Sequence, residues 1–179
     1  APLLMVRAAP ITLALRALPV TAVRRLTWLL RTPWVRFVTH PVVAATLNAG
    51  GLWLLYTTEL FHLMHASVAV HALVHLHIFL AGYVFTASIV GVDPDPYRAS
   101  MVMRSVVLIL FITAHQILAK KLYGTPPHGI ETADAQIGAQ VMYYGGDVVD
   151  LIIIVLLFLG WYTKRHREMS FVAVTKRYT

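Results

Sequence analysis

The sequence predicts an all-α fold: a polytopic bundle of transmembrane helices, four spans preceded by an N-terminal amphipathic or partial span. Three observations predict it. Apolar residues make up 58% of the 179 and charged residues only 13%, with a mean hydropathy of +0.69, a balance suited to lipid rather than water. The apolar residues fall into four runs of about 18 to 25, each sufficient for a ~30 Å hydrocarbon core at 1.5 Å per residue. The basic residues gather beside those runs, so the net charge of +7 reads as membrane topology and no nucleic-acid partner is expected.

Residues 1–179 read as a single integral membrane domain. Within residues 1–40, residues 1–15 are apolar but interrupted by Arg7 and two prolines, as in a partial span or an interfacial helix. Arg16, Arg24, Arg25, Arg31 and Arg36 follow, interleaved with Leu18, Val23, Leu26, Trp28, Leu29 and Leu30. One amphipathic helix is expected here, lying on the lipid surface with arginines at headgroups. The spans occupy residues 41–163: 41–58, 68–91, 101–122 and 139–163. Gly50 and Gly51 offer close helix approach in the first, and Gly145 and Gly146 in the last. A histidine-bearing loop (residues 58–66) joins the first two spans. The Gly91-Val92-Asp93-Pro94-Asp95-Pro96 turn stops the second. A longer loop (residues 123–138) precedes the fourth, and a basic tail occupies residues 164–179. Arg104 is expected to reach the interface or to pair with Asp93.

Orientation follows from charge. Basic residues border the first span, the turn at Arg98 and the C-terminal tail, against Lys120 and Lys121 on the other face. The positive-inside rule assigns the C-terminus to the cytoplasm. The chain does not begin with Met and shows no charged segment ahead of an apolar one, so a fragment or a processed form is expected rather than a signal peptide.

The candidate site comes from polar residues at membrane depth, where they are costly and usually functional. His71 and His75 are four apart, so on a helix their Cβ atoms lie ~5–6 Å from each other. His77 falls about 200° round from His75. Counted from the outer ends of their spans, His75, His115 and Asp147 all lie ~10–12 Å deep. A metal held by His71, His75, His115 and Asp147 is expected toward the extracytoplasmic side. Met64, His65, His77, His128, Asp134, Met142 and Asp150 would capture the metal or orient its ligands. Imidazole with thioether and carboxylate suits copper or zinc, and thioether favours Cu(I). Two other readings stand beside it: heme b held by histidines of two spans in an electron-transfer protein, and a structural accessory subunit whose polar groups only join helices. Cysteine is absent, which excludes thiolate sites and disulfides. No hydrolase elbow, phosphate loop, dinucleotide loop or HExxH helix occurs, so no enzymatic activity is expected.

The ordered set His40-Pro41, Tyr56, His71-x3-His75-x-His77, Gly91-Val92-Asp93-Pro94, Asp134-x-Gln136-x-Gly138 and Gly146-Asp147 resembles the CtaG-type integral membrane family of cytochrome c oxidase assembly factors. The likeness runs from residue 1 to about residue 163. It implies a multi-pass protein of the bacterial plasma membrane that assists maturation of a heme-copper oxidase and supplies or inserts its copper. Its partners would be an oxidase subunit or other assembly factors. It further implies that His71, His75 and His77 match the family's histidine cluster, that Asp147 matches its acidic position, and that further spans precede the equivalent of Ala1. Glu59, Ala135 and Tyr143 depart from the family pattern, where proline, glutamine and tryptophan are usual.

Overall fold

Prolines divide the first forty residues. In the computed structural model, α1 (Pro2–Arg7), α2 (Pro10–Ala17), α4 (Pro33–Val38) and α5 (Pro41–Thr57) each begin on a proline, and α3 (Val20–Leu30) follows Pro19 as its N-cap. Proline lacks the N–H that the first helical turn leaves unused, and it forces the residue before it out of the helical region. Leu18, Thr32 and His40, which precede three of these prolines, are accordingly extended, with ψ of 150°, 145° and 130°. Ala9, before Pro10, instead takes a left-handed conformation with φ 49°, uncommon for a residue bearing a Cβ. The single amphipathic helix expected over residues 16–40 is therefore three short helices. Periodicity registered one continuous face; the breaks lie in the proline chemistry. The structure describes residues 1–93, 95, 97–127 and 130–175, with side chains as far as residue 166. His128, expected at the metal entry, Pro94 and Pro96 of the turn, and residues 176–179 of the basic tail lie outside the described residues.

The rest of the chain is α6 (Leu60–Ala66), α7 (Val68–Val90), α8 (Met101–Gly124) and α9 (Thr132–Thr175), and the described residues include no strand. Three helices are long and apolar enough to cross a membrane: α7, α8 and residues 132–166 of α9. The fourth expected span, α5, has 17 residues, or ~25 Å at 1.5 Å per residue, somewhat short of a ~30 Å core. The expected loop at residues 58–66 contains a seven-residue helix, α6. The loop expected over residues 123–138 is shorter, because α9 starts at Thr132 with Asp134 in its first turn, where a carboxylate favours the positive end of a helix. The tail is helical to Thr175.

Packing concentrates where α8 meets α9 and where α5 meets α7 and α8, with α1 laid against α7. Ala44, Phe85, Ile89, Val107, Leu108, Phe111, Ile153 and Leu157 form one core through all four long helices. Leu118, Leu122 and Ala139 form a second toward the other end, with Trp53 and Met142 against it. No more than 33% of the apolar window of any spanning helix is buried within the chain. In lipid, apolar burial drives helix association weakly, so close backbone approach and interhelical hydrogen bonds carry more of it. Trp53 Nε1 donating to the Ala114 carbonyl at 3.1 Å ties α5 to α8.

Candidate functional site

The histidines of the spanning helices divide by what their rings touch. On α7, His71 and His75 are exposed, with ring centroids 4.2 Å apart and planes 18° from parallel. This is the direct consequence of spacing by four on a helix. His75 Nδ1 lies 2.9 Å from the His71 carbonyl. A carbonyl only accepts, so Nδ1 carries the proton and Nε2 keeps its lone pair. A carbonyl-anchored imidazole of this kind is how metal-binding histidines are commonly held in one tautomer. On α6, His65 repeats the device, its Nδ1 2.9 Å from the Phe61 carbonyl and its ring exposed. Met64 is turned the other way and buried.

His77 and His115 sit against glycines. His77 Nε2 donates to the Leu47 carbonyl at 3.2 Å, and a Cβ on Gly51 would stand 2.5 Å from that nitrogen. His77 therefore joins α7 to α5. His115 lies over Gly146, where a Cβ would stand 2.5 Å from Cε1. The next residue of each helix continues the seam, Gln116 Nε2 donating to Asp147 Oδ1 at 2.7 Å. Asp150, one turn further along α9, is 6% exposed, and its Oδ2 has no hydrogen-bond partner. Met142 packs on the Leu118, Leu122 and Ala139 cluster, and Asp134 is exposed in the first turn of α9.

Among the described residues no group of three or more His, Cys, Asp or Glu comes close enough to hold a metal ion. The expected set His71, His75, His115 and Asp147 thus falls into two parts, an imidazole pair on α7 and a polar seam between α8 and α9. Depth counted along each helix places residues at one level and leaves the direction round each axis open. That direction follows packing: α7 pairs mainly with α5 and α1, whereas α8 pairs with α9. Depth counting of ionisable residues does not register Gln116, although an amide beside a histidine in an apolar run is itself a signal.

The other end of α7 has its own polar assembly. Asp93 Oδ1 accepts from Thr12 N at 2.7 Å and Thr12 Oγ1 at 2.6 Å, binding α2 to the turn after α7. Arg104, expected at the interface or on Asp93, hydrogen-bonds not to that carboxylate but to the backbone at the end of α7. Its Nη1 donates to the Ile89 carbonyl at 2.8 Å, satisfying one of the carbonyls that a helix end leaves without a partner. Arg98 donates to the Gly91 carbonyl, and a Cβ at Gly91 would stand 2.3 Å from the Ala87 oxygen and 3.2 Å from Arg98 Nη2. Close backbone approach thus accounts for the glycine that opens the turn. Arg36 stacks on Tyr97 at 4.4 Å. Arg16, Arg24, Arg25, Arg31 and Arg36 are all exposed on α2 to α4.

Residues 1–164 match the family model described as cytochrome c oxidase caa3 assembly factor (Caa3_CtaG). The chain is 29% identical over 187 residues to an uncharacterized protein of Mycobacterium leprae, covering 93% of this chain and 28% of that protein. It is 38% identical over 104 residues to uncharacterized proteins of Mycobacterium bovis and Mycobacterium tuberculosis, covering 54% of this chain and 16% of each. It therefore spans less than a third of the length of the curated relatives it matches. No solved structure matches. With a family match over nearly its whole length and a bundle of apolar helices to go with it, the chain belongs to the Caa3_CtaG family of cytochrome c oxidase caa3 assembly factors.

Proposed function

We propose that the chain assists maturation of a heme-copper cytochrome c oxidase in the bacterial plasma membrane by presenting copper to a partner subunit from the His71–His75 face of α7. The match over residues 1–164 is the observation that carries the assembly role. The exposed, stacked imidazoles, one anchored to a carbonyl, support the choice of locus. Copper is cargo here, not a resident cofactor. Two imidazoles with free nitrogens hold Cu(I) with few ligands, so a partner's donors complete the coordination and draw the ion away. Exposed His65 on neighbouring α6 supplies a further imidazole for capture.

His115, Gln116, Asp147 and Asp150 act as the polar seam that fixes α9 against α8, not as primary ligands. Residues 1–179 work as one membrane domain. Helix α5 crosses with α7, α8 and α9, its shortfall in length met by local bilayer thinning. The excess of arginines around the C-terminal end of α7 supports a cytoplasmic C-terminus and an extracytoplasmic His71–His75 face.

The test is a Cu(I) titration of the purified full chain under reducing conditions, beside a His71→Ala/His75→Ala variant. Saturable binding lost in the variant supports the proposal; equal binding by both chains contradicts it.

A further inference from the structure

The end of α7 opposite the histidine pair encloses a cavity of about 540 Å³, a volume typical of small-molecule sites. The assembly role proposed above does not use it. Its lining includes apolar Val6, Ile11 and Leu15 of the N-terminal helices and Val84 and Ala87 of α7. Arg31, Arg36 and Arg98, all exposed, also line it. Along α7 the wall from Val84 to Gly91 rises ~10 Å at 1.5 Å per residue. The cavity therefore runs from the last turns of a spanning helix to the surface segment that bears the arginines.

The lining carries Arg31, Arg36 and Arg98 against Asp93 and Asp95, an excess of positive charge among the described residues. Arg98 donates to the carbonyls of Gly91 and Asp93, and Arg36 lies on the Tyr97 ring. Neutral partners of this kind orient a guanidinium without compensating it. The two lining carboxylates are engaged by neutral donors, Asp93 by Thr12 N and Oγ1 and Asp95 by Tyr97 N. Apolar lining along the end of a spanning helix, beside planar, phosphate-matching cations, complements one class of molecule.

We propose that this cavity binds an anionic phospholipid, its phosphate on Arg31, Arg36 and Arg98 and its acyl chains along Leu15, Val84 and Ala87. A bound lipid there joins α1 and α2 to α7 and fixes the surface segment against the bundle.

The test uses the purified full chain in detergent, with lipid retention read by native mass spectrometry. Phosphatidylglycerol and phosphatidylcholine of identical chains are the probes, and inorganic phosphate is the competitor. Phosphatidylglycerol is expected to be retained at least ~10-fold more tightly than phosphatidylcholine, whose choline cation offsets the phosphate charge that the arginines attract. Arg31→Gln/Arg36→Gln, both exposed positions, removes that preference. Leu15→Trp, which fills the cavity and keeps the arginines, lowers retention of phosphatidylglycerol. Equal retention of the two lipids by the wild type, a preference unchanged in Arg31→Gln/Arg36→Gln, phosphatidylglycerol retention unchanged in Leu15→Trp, or displacement by equimolar inorganic phosphate overturns the proposal. None of these residues belongs to the histidine face, so failure here leaves the copper proposal standing.

Discussion

Two polar regions lie within apolar helices of this protein, and they are built in opposite ways. In the α8–α9 seam, His115 rests on Gly146, Gln116 donates to Asp147, and Asp150 is buried. The Gln116–Asp147 bond and the His115 ring on Gly146 hold α8 to α9, while Asp150 Oδ2 is buried without a partner. On the N-terminal half of α7, His71 and His75 stack on each other, His75 is bonded within its own helix, and both rings are exposed. The difference separates two reasons for placing histidine in a membrane helix. A ring seated on a glycine makes a joint, whereas a ring left open with a fixed tautomer is available to a ligand.

The contrast breaks first at the glycines. Gly146→Val is expected to cost about 1–3 kcal/mol, because a branched side chain meets the His115 ring and overpacked contacts cost that much. A lowered melting temperature in detergent reads it. Gly51→Val meets His77 in the same way. In a His77→Ala background the same substitution should cost less, since neighbouring residues couple in double-mutant cycles. Equal costs in both backgrounds would remove His77 from the α5–α7 contact.

A smaller effect is expected at the interhelical hydrogen bond. Gln116→Leu removes the donor to Asp147 and should cost about 0.6–1.7 kcal/mol, the range found for such bonds in membranes. The smallest belongs to the open pair: His71→Ala/His75→Ala should change stability by less than about 0.5 kcal/mol, as for exposed positions without special contacts. A loss as large as that at Gly146 would place the pair among the structural joints.

The helical class was legible in the sequence because apolar run length alone decides it, and α7 and α8 begin and end within two residues of the expected bounds. The family was legible from ordered motifs such as His71-x3-His75 and the Gly91-Val92-Asp93-Pro94 turn. The partition of the histidines was only half legible. Spacing by four predicts that His71 and His75 stack and that His77 points away. It does not predict that Gly51 receives His77, or that His115 faces α9 rather than α7. Those outcomes depend on which helices pair, and pairing is set by contacts far apart in sequence. The bond between Thr12 and Asp93 spans 81 residues and left no local trace, whereas the breaks at Pro19 and Pro33 were present in the chain and were outweighed by the basic periodicity around them.

The open pair is tested most directly by Cu(I) titration of the purified chain, wild type against His71→Ala/His75→Ala, with the melting temperature of each measured on the same samples. The expected result is saturable copper binding by the wild type, abolished in the variant at an unchanged melting temperature. Copper binding that survives in a folded variant, or a wild type that binds none, would contradict the account.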